Sequence, residues 1–237
     1  MELNHLKATA LAAAYCSGRY IRSRLNRERR IEHKGAIDLV TEVDLGSEAR
    51  IIDTIQASFP DHSILSEERG MIQRDQDFLW IVDPLDGTTN FAHGLTLCCV
   101  SIALVGNGQP LIGIVCNPFT DELFSAVRDQ GAFLNGRRLS VSNVAHVQDS
   151  LLATGFSYNV KAIIASVMAR LTRCLAAAQG IRRLGSAALD LCYVAAGRCE
   201  AFWEEQLIHG TQPPASSLSK KPEAALPIFS TIRLNLR

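Results

Sequence analysis

The chain has 237 residues, 47% hydrophobic and 20% charged, and its 24 basic side chains balance 24 acidic ones. A net charge of zero supplies no global field for nucleic acid or an anionic membrane surface, and the size suits one globular domain or two lobes sharing a core. The seven cysteines are scattered with no CxxC, which reads as reduced thiols of a cytoplasmic protein rather than a disulfide framework or a zinc site.

Residues 3–29 carry Leu6, Ala10, Ala13, Ile21 and Leu25 at helical spacing, and the spacing predicts a helix. The alanine-rich start is broken by Glu2, His5 and Lys7, so it does not read as a signal peptide, and no apolar run approaches bilayer length. "HKGAIDLVTEVD" follows, with Gly35 as a break, and a second helix is expected over 44–58, stopped at Pro60. "SILSEE" (63–68) reads as a strand running into two glutamates, and "FLWIVDP" (78–84) as a buried strand. "CCVSIALVGNGQPLIGIVCNP" predicts two strands around Gly-Asn-Gly, and the segment ending "GAFLNGRRLSVS" a hairpin turning at Asn135-Gly136. A strand "SLLATGF", a helix over 159–178, a helix through "SAALDLCYVAAGR" and a strand "EAFWEE" complete an α/β or α+β order.

"WIVDPLDGTTNF" is the segment that carries chemistry. Asp83 and Asp86 flank Pro84-Leu85 at the end of a buried strand, where α/β ligand sites lie. Gly87 permits close backbone approach, and Thr88-Thr89-Asn90 can open a turn or helix whose N–H groups face an anion. Glu67 ends an earlier strand. Taken singly, each acid is an ordinary turn residue. Together, three acids at one strand edge repel one another without a cation, and carboxylate and carbonyl oxygens suit Mg²⁺.

This segment resembles the signature of the inositol monophosphatase family, Mg²⁺-dependent and lithium-sensitive sugar phosphatases. "DLVTEVD" (38–44), "SEE" (66–68), "GAFLNG" (131–136) and "GSAALDLCYVAAGR" (185–198) resemble further family blocks in family order, over about residues 5–207. The resemblance implies a layered αβαβα sugar-phosphatase fold. It implies metal ligands at Glu67, Asp83, the Leu85 carbonyl and Asp86. Thr88 would place the attacking water with Asp44 behind it, and Lys34 would lie near the phosphate or first metal. The Gly87 and Thr88 amides would hold phosphate oxygens. Gly185, Ser186 and Ala187, with Arg182 and Glu204, would shape the alcohol side. The implied reaction is hydrolysis of a small phosphorylated polyol, foremost inositol 1-phosphate, by a homodimer; the neutral charge and the lack of a bilayer-length run argue against nucleic-acid and membrane partners. Histidinol-phosphate, fructose 1,6-bisphosphate and 3′-phosphoadenosine phosphates are the rival substrates. A non-catalytic remnant, or a binding protein that keeps the fold without turnover, is the rival class, and a regulatory, RNA- or polymerase-associated role is a third reading.

After Leu207 the family pattern is lost. It continues with Pro-Trp-Asp, a helix of small residues and a Glu-Glu-Ala-Gly-Gly turn, and its Asp is a ligand of the second metal. Here Thr211 stands in that place, among prolines, serines and lysines. Synonymous codons for residues 208–224, read two bases in, spell Pro-Trp-Asp-Thr-Ala-Ala-Gly-Ile-Leu-Ile-Val-Glu-Glu-Ala-Gly-Gly. Each shifted codon takes only its first base from a wobble position, so there is little freedom to tune that result. The expectation is a one-base deletion near the Leu207 codon. Residues 1–207 then form an incomplete domain and residues 208–237 an aberrant, disordered tail, with activity and stability impaired.

Overall fold

A computed structural model describes residues 3–25, 31–33, 39–74, 77–157 and 160–204, with backbone alone for 31–33 and 39–41. Helix α1 (Leu3–Arg24) is followed by a short antiparallel pair, β1 (Ile31–His33) and β2 (Leu39–Thr41), and then by α2 (Glu42–Ser58). The buried face of α1 is built from Leu6, Ala10, Ala13, Ala14, Ser17, Gly18 and Ile21. Small side chains let it approach closely: a Cβ on Gly18 would stand 3.3 Å from Pro118.

The strands β3 (Ser63–Ser66), β4 (Gly70–Ile72), β5 (Phe78–Asp86), β6 (Cys99–Gly106), β7 (Gln109–Asn117), β8 (Glu122–Val127), β9 (Gly131–Leu134) and β10 (Arg137–Arg138) form one sheet. A short helix, α3 (Thr88–Ala92), follows β5. The strand order is β10-β9-β8-β7-β6-β5-β3-β4, antiparallel except for the parallel β3–β5 pair. β11 (Leu151–Thr154), α4 (Val160–Ala177), β12 (Gly180–Arg182), α5 (Ala187–Ala195) and β13 (Ala201–Trp203) follow, with the strands paired in parallel as β12-β11-β13. Parallel pairing needs crossovers, and α4 and α5 supply them.

Alternation along the large sheet defines two faces. Trp80, Val82, Val100, Ile102, Leu104, Ile112 and Ile114 pack on Ile21, Ile51, Ile52 and Ile55 of α1 and α2. On the other face Cys99, Val115, Phe124 and Ala126 pack on Ala188, Leu189, Cys192 and Ala195 of α5. Helix α5 also touches β13, and α4 touches β12. The layers are therefore helix pair, large sheet, α5, small sheet, α4, the αβαβα order expected.

Several boundaries differ from the sequence reading. The helix expected through 186–198 is confined to Ala187–Ala195, because Ser186 caps its start and Gly197 (φ +69°) is left-handed beyond its end. The strand expected through Glu68 ends at Ser66 and turns back as β4. The single hairpin expected near Asn135 is three strands, because Asp129 (φ +63°) makes a turn of its own. Lys34, Thr211 and all of the tail from residue 205 lie outside the described residues.

Candidate active site

In a regular strand, residues three apart point to opposite faces. Asp83 and Asp86 escape this rule. Asp83 pairs with Ser101 and Asp86 with Cys99, so three steps on β5 oppose two on β6. That is a bulge of one extra residue, and it returns both carboxylates to the face of the sheet that carries α5. Pro84 sits in the irregularity, where no ladder donor is required. Its carbonyl accepts the Ser47 hydroxyl of α2 at 2.7 Å, and Ser47 Oγ lies 2.5 Å from Ser17 Oγ of α1. Asp83 Oδ1 accepts the Leu85 amide at 3.1 Å, which closes a local turn. The Glu67 amide donates to the Val82 carbonyl at 3.2 Å, so parallel pairing persists past β3 and sets Glu67 beside Asp83.

Gly87 (φ +93°) turns the chain into α3, and a Cβ there would lie 2.9 Å from the Leu97 carbonyl. Thr88 Oγ1 stands 3.1 Å from Asp44 Oδ1 and 3.0 Å from the Leu85 carbonyl, with one proton to donate between them. Its lone pairs remain able to accept from a water. Asp44 is buried, at 2% exposure. Asn90 Nδ2 donates to the Leu97 and Leu184 carbonyls, both at 2.7 Å, and so ties α3 to the loop that precedes α5.

That loop delivers the N-terminus of α5 to Asp86. Asp86 Oδ2 accepts Ser186 Oγ at 2.6 Å and the Ala188 amide at 2.8 Å. Ser186 also caps α5 by accepting the Leu189 amide at 3.3 Å. These bonds set the Asp86 carboxyl at the positive end of the α5 dipole. Cys99 Sγ lies 3.9 Å from the same oxygen. Burial, then the Asp86 charge, pushes its thiol well above the ordinary range, so no soft thiolate competes with the oxygen donors.

Asp190, one turn along α5, is 1% exposed, and its Oδ1 has no hydrogen-bond partner among the described residues. Burial, then Asp86, pushes its carboxyl up to about 8 against the opposing pull of Arg183. Sequence reading missed Asp190, although an acid inside the apolar run "SAALDLC" was the available signal. It also missed Ser17, Ser47 and Glu48, whose partners are distant in sequence, and the side-chain bond of Asn90 to the Leu184 carbonyl.

Glu67, Asp83, Leu85, Asp86, Gly87, Thr88 and Asp44 are thus joined around one end of β5, with Gly185, Ser186 and Ala187 beside Asp86. Glu204, at the end of β13, packs so closely on Gly155 that a Cβ there would collide with its carboxylate. Arg182 is exposed, and its guanidinium bonds the adjacent Ile181 carbonyl at 3.0 Å. It is Arg183 that faces Asp190, and its guanidinium lies 5.6 Å from the Phe156 ring centroid. Among the described residues no three His, Cys, Asp or Glu side chains are gathered as a ready metal cage. Asp83 and Asp86 are instead turned to donors of their own chain.

A family profile described as the inositol monophosphatase family matches residues 2–212. The chain belongs to the inositol monophosphatase family. Inositol monophosphatase 2 of Solanum lycopersicum is 42% identical over 201 residues, 82% of this chain and 76% of the relative. Nus factor SuhB of Haemophilus influenzae is 43% identical over 205 residues, 85% of this chain and 77% of the relative. The crystal structure of the extragenic suppressor protein suhB from Bartonella henselae superimposes with a TM-score of 0.81 at 39% identity, covering 84% of this chain and 78% of that one. This inositol monophosphatase-family chain and its relatives share the layered fold described above.

Proposed function

We propose that the active form of this chain is a Mg²⁺-dependent phosphate monoesterase acting on inositol 1-phosphate. The observation that carries the reading is the bulge in β5, which turns Asp83 and Asp86 to one face of the sheet. The donor set is all oxygen and suits Mg²⁺: Glu67, Asp83, the Leu85 carbonyl and Asp86 would hold it. Bound there, the metal supplies charge neutralisation and lowers the pKa of a coordinated water.

The chain's own residues orient the reaction. Asp44 holds the Thr88 hydroxyl, which accepts the attacking water and aims it at phosphorus. The amides of Gly87 and Thr88 hold phosphate oxygens, and Lys34 adds positive charge. The start of α5 at Gly185, Ser186 and Ala187, with Arg182 and Glu204, bounds the leaving alcohol. Catalysis on this reading is positioning and electrostatics, with no phospho-enzyme.

Residues 208–237 are read as the product of a one-base deletion near the Leu207 codon, because the shifted frame spells the expected block whole. The chain as it stands would then lack a second-metal carboxylate and the segment that covers its small sheet. We expect it to be poorly active, poorly stable or both, and the frame-restored chain to be a working cytoplasmic homodimer. The SuhB relative's name, Nus factor, favours a second reading, a role in transcription without turnover. A net charge of zero gives that reading no global basic field to build on.

The test is phosphate release by the frame-restored chain from inositol 1-phosphate, histidinol-phosphate, fructose 1,6-bisphosphate and 3′-phosphoadenosine 5′-phosphate, with Mg²⁺ or EDTA. Mg²⁺-dependent release fastest from inositol 1-phosphate is expected. Equal release in EDTA contradicts the metal assignment, preference for another phosphate contradicts the substrate, and no release from any supports the second reading.

A further inference from the structure

Glu48 is a carboxylate with 0% exposure in the middle of α2. A buried charge is costly unless it is paired and hydrogen-bonded, so its partners show what its position serves. Glu48 Oε1 accepts the backbone amides of Glu68 at 2.9 Å and Arg69 at 3.1 Å, while Oε2, with no hydrogen bond among the described residues, is ion-paired to Arg69 Nε at 3.3 Å. These partners are the two residues directly after Glu67. The Glu67 amide is itself bonded to the Val82 carbonyl. The backbone is therefore fixed on both sides of Glu67.

Glu48 does not act alone on its helix. Asp44, Ser47 and Glu48 stand at i, i+3 and i+4, which share one helix face. Each reaches a different part of the site. Asp44 holds Thr88, Ser47 holds the Pro84 carbonyl at the bulge, and Glu48 holds the turn after Glu67. One rigid face of α2 thus sets the spacing of two separate stretches of chain, the β5–α3 junction at Pro84 and Thr88 and the turn after Glu67.

We infer that Glu48 is a positioning residue, which aims Glu67 at the metal site by clamping the turn between β3 and β4. The inference rests on the reading of Glu67 as a metal ligand. Partners of this indirect kind govern metal affinity by about 10–100-fold in other metal sites. Glu48→Gln keeps shape and an acceptor but loses the charge, and its amide group meets Arg69 Nε. Glu48→Ala removes the clamp.

The experiment is Mn²⁺ titration of the full chain, following free Mn²⁺ by electron paramagnetic resonance, for the parent, Glu67→Gln, Glu48→Gln and Glu48→Ala. Amide hydrogen exchange is read on the same proteins. Expected are loss of the tightest Mn²⁺ site in Glu67→Gln, a weakening by about tenfold in Glu48→Ala, and partial rescue in Glu48→Gln. The Glu68 and Arg69 amides should exchange faster in both Glu48 variants, while β6 keeps parental protection. Parental Mn²⁺ affinity in the Glu48 variants, with Glu67→Gln impaired, overturns the positioning role. Loss of β6 protection in Glu48→Gln overturns it too, by making the residue a general support of the fold. Parental affinity in Glu67→Gln overturns the ligand reading and the inference with it.

Discussion

Replacing Ser186 tests how α5 and Asp86 hold each other. The Ser186 hydroxyl donates to Asp86 Oδ2 at 2.6 Å and accepts the Leu189 amide at 3.3 Å, in a buried setting. Ser186→Ala removes both bonds. A lost N-cap costs about 0.5–2 kcal/mol, and a lost hydrogen bond to a charged group about 1.5–3 kcal/mol. Shared geometry makes the two less than additive, so about 2–4 kcal/mol is expected, a large part of a stability of about 5–15 kcal/mol. Ser186→Gly separates the two contributions, since glycine is a tolerable N-cap that costs only a few tenths and cannot bond Asp86. The assay is urea denaturation in EDTA. With m about 2 kcal/mol/M, Ser186→Ala should lower the midpoint by about 1–2 M at unchanged m, and Ser186→Gly by somewhat less. A Ser186→Gly midpoint equal to the parent's would refute the Asp86 bond as a stabilising contact. An Ala midpoint equal to the parent's would refute both contributions.

Three further outcomes follow from the same geometry. In the frame-restored chain, Thr88→Val should slow phosphate release by about 10–100-fold, the equivalent of one hydrogen bond to a carboxylate, and Thr88→Ser should recover most of it; equal rates in Val and Ser would remove Thr88 from the water-placing role. Gly87→Ala forces a side chain to φ +93° with its Cβ 2.9 Å from the Leu97 carbonyl. It should cost at least about 1–3 kcal/mol in urea denaturation, and a neutral effect would contradict the turn. Asp190, with its carboxyl pushed up to about 8, gives the metal-free fold a proton that the unfolded chain releases near pH 4. Stability should therefore fall as pH rises from about 4 to about 8, by up to ~1.4 kcal/mol per unit, and level off above. Asp190→Asn should flatten that slope, and parallel pH profiles for the two proteins would contradict it.

Much of this was legible in the residues. Apolar patterning marked α1, α2, α4 and a buried strand over 78–84, and Asn-Gly at 107–108 and 135–136 marked two turns that the structure makes with positive φ at all four residues. The signature pointed to Asp83 and Asp86 as a pair. The device that pairs them was not legible, because residues three apart on a strand should diverge, and only the register against Ser101 and Cys99 reveals the bulge. Glu48 was invisible for a similar reason. A charged residue on a helix reads as a solvated one until the turn it clamps, twenty residues on, is folded against it. The strands β4 and β12 are three residues each, too short to carry a period, and their pairing is set by neighbours.

We propose that the sequence to Leu207 encodes a phosphatase whose completion lies one base out of frame. Phosphate release from inositol 1-phosphate in Mg²⁺ tests it most directly, measured side by side on the 237-residue chain and on a chain with one base restored at codon 207. Release by the restored chain alone is predicted. Equal release by both would contradict the need for the missing carboxylate, and release by neither would contradict the phosphatase reading itself.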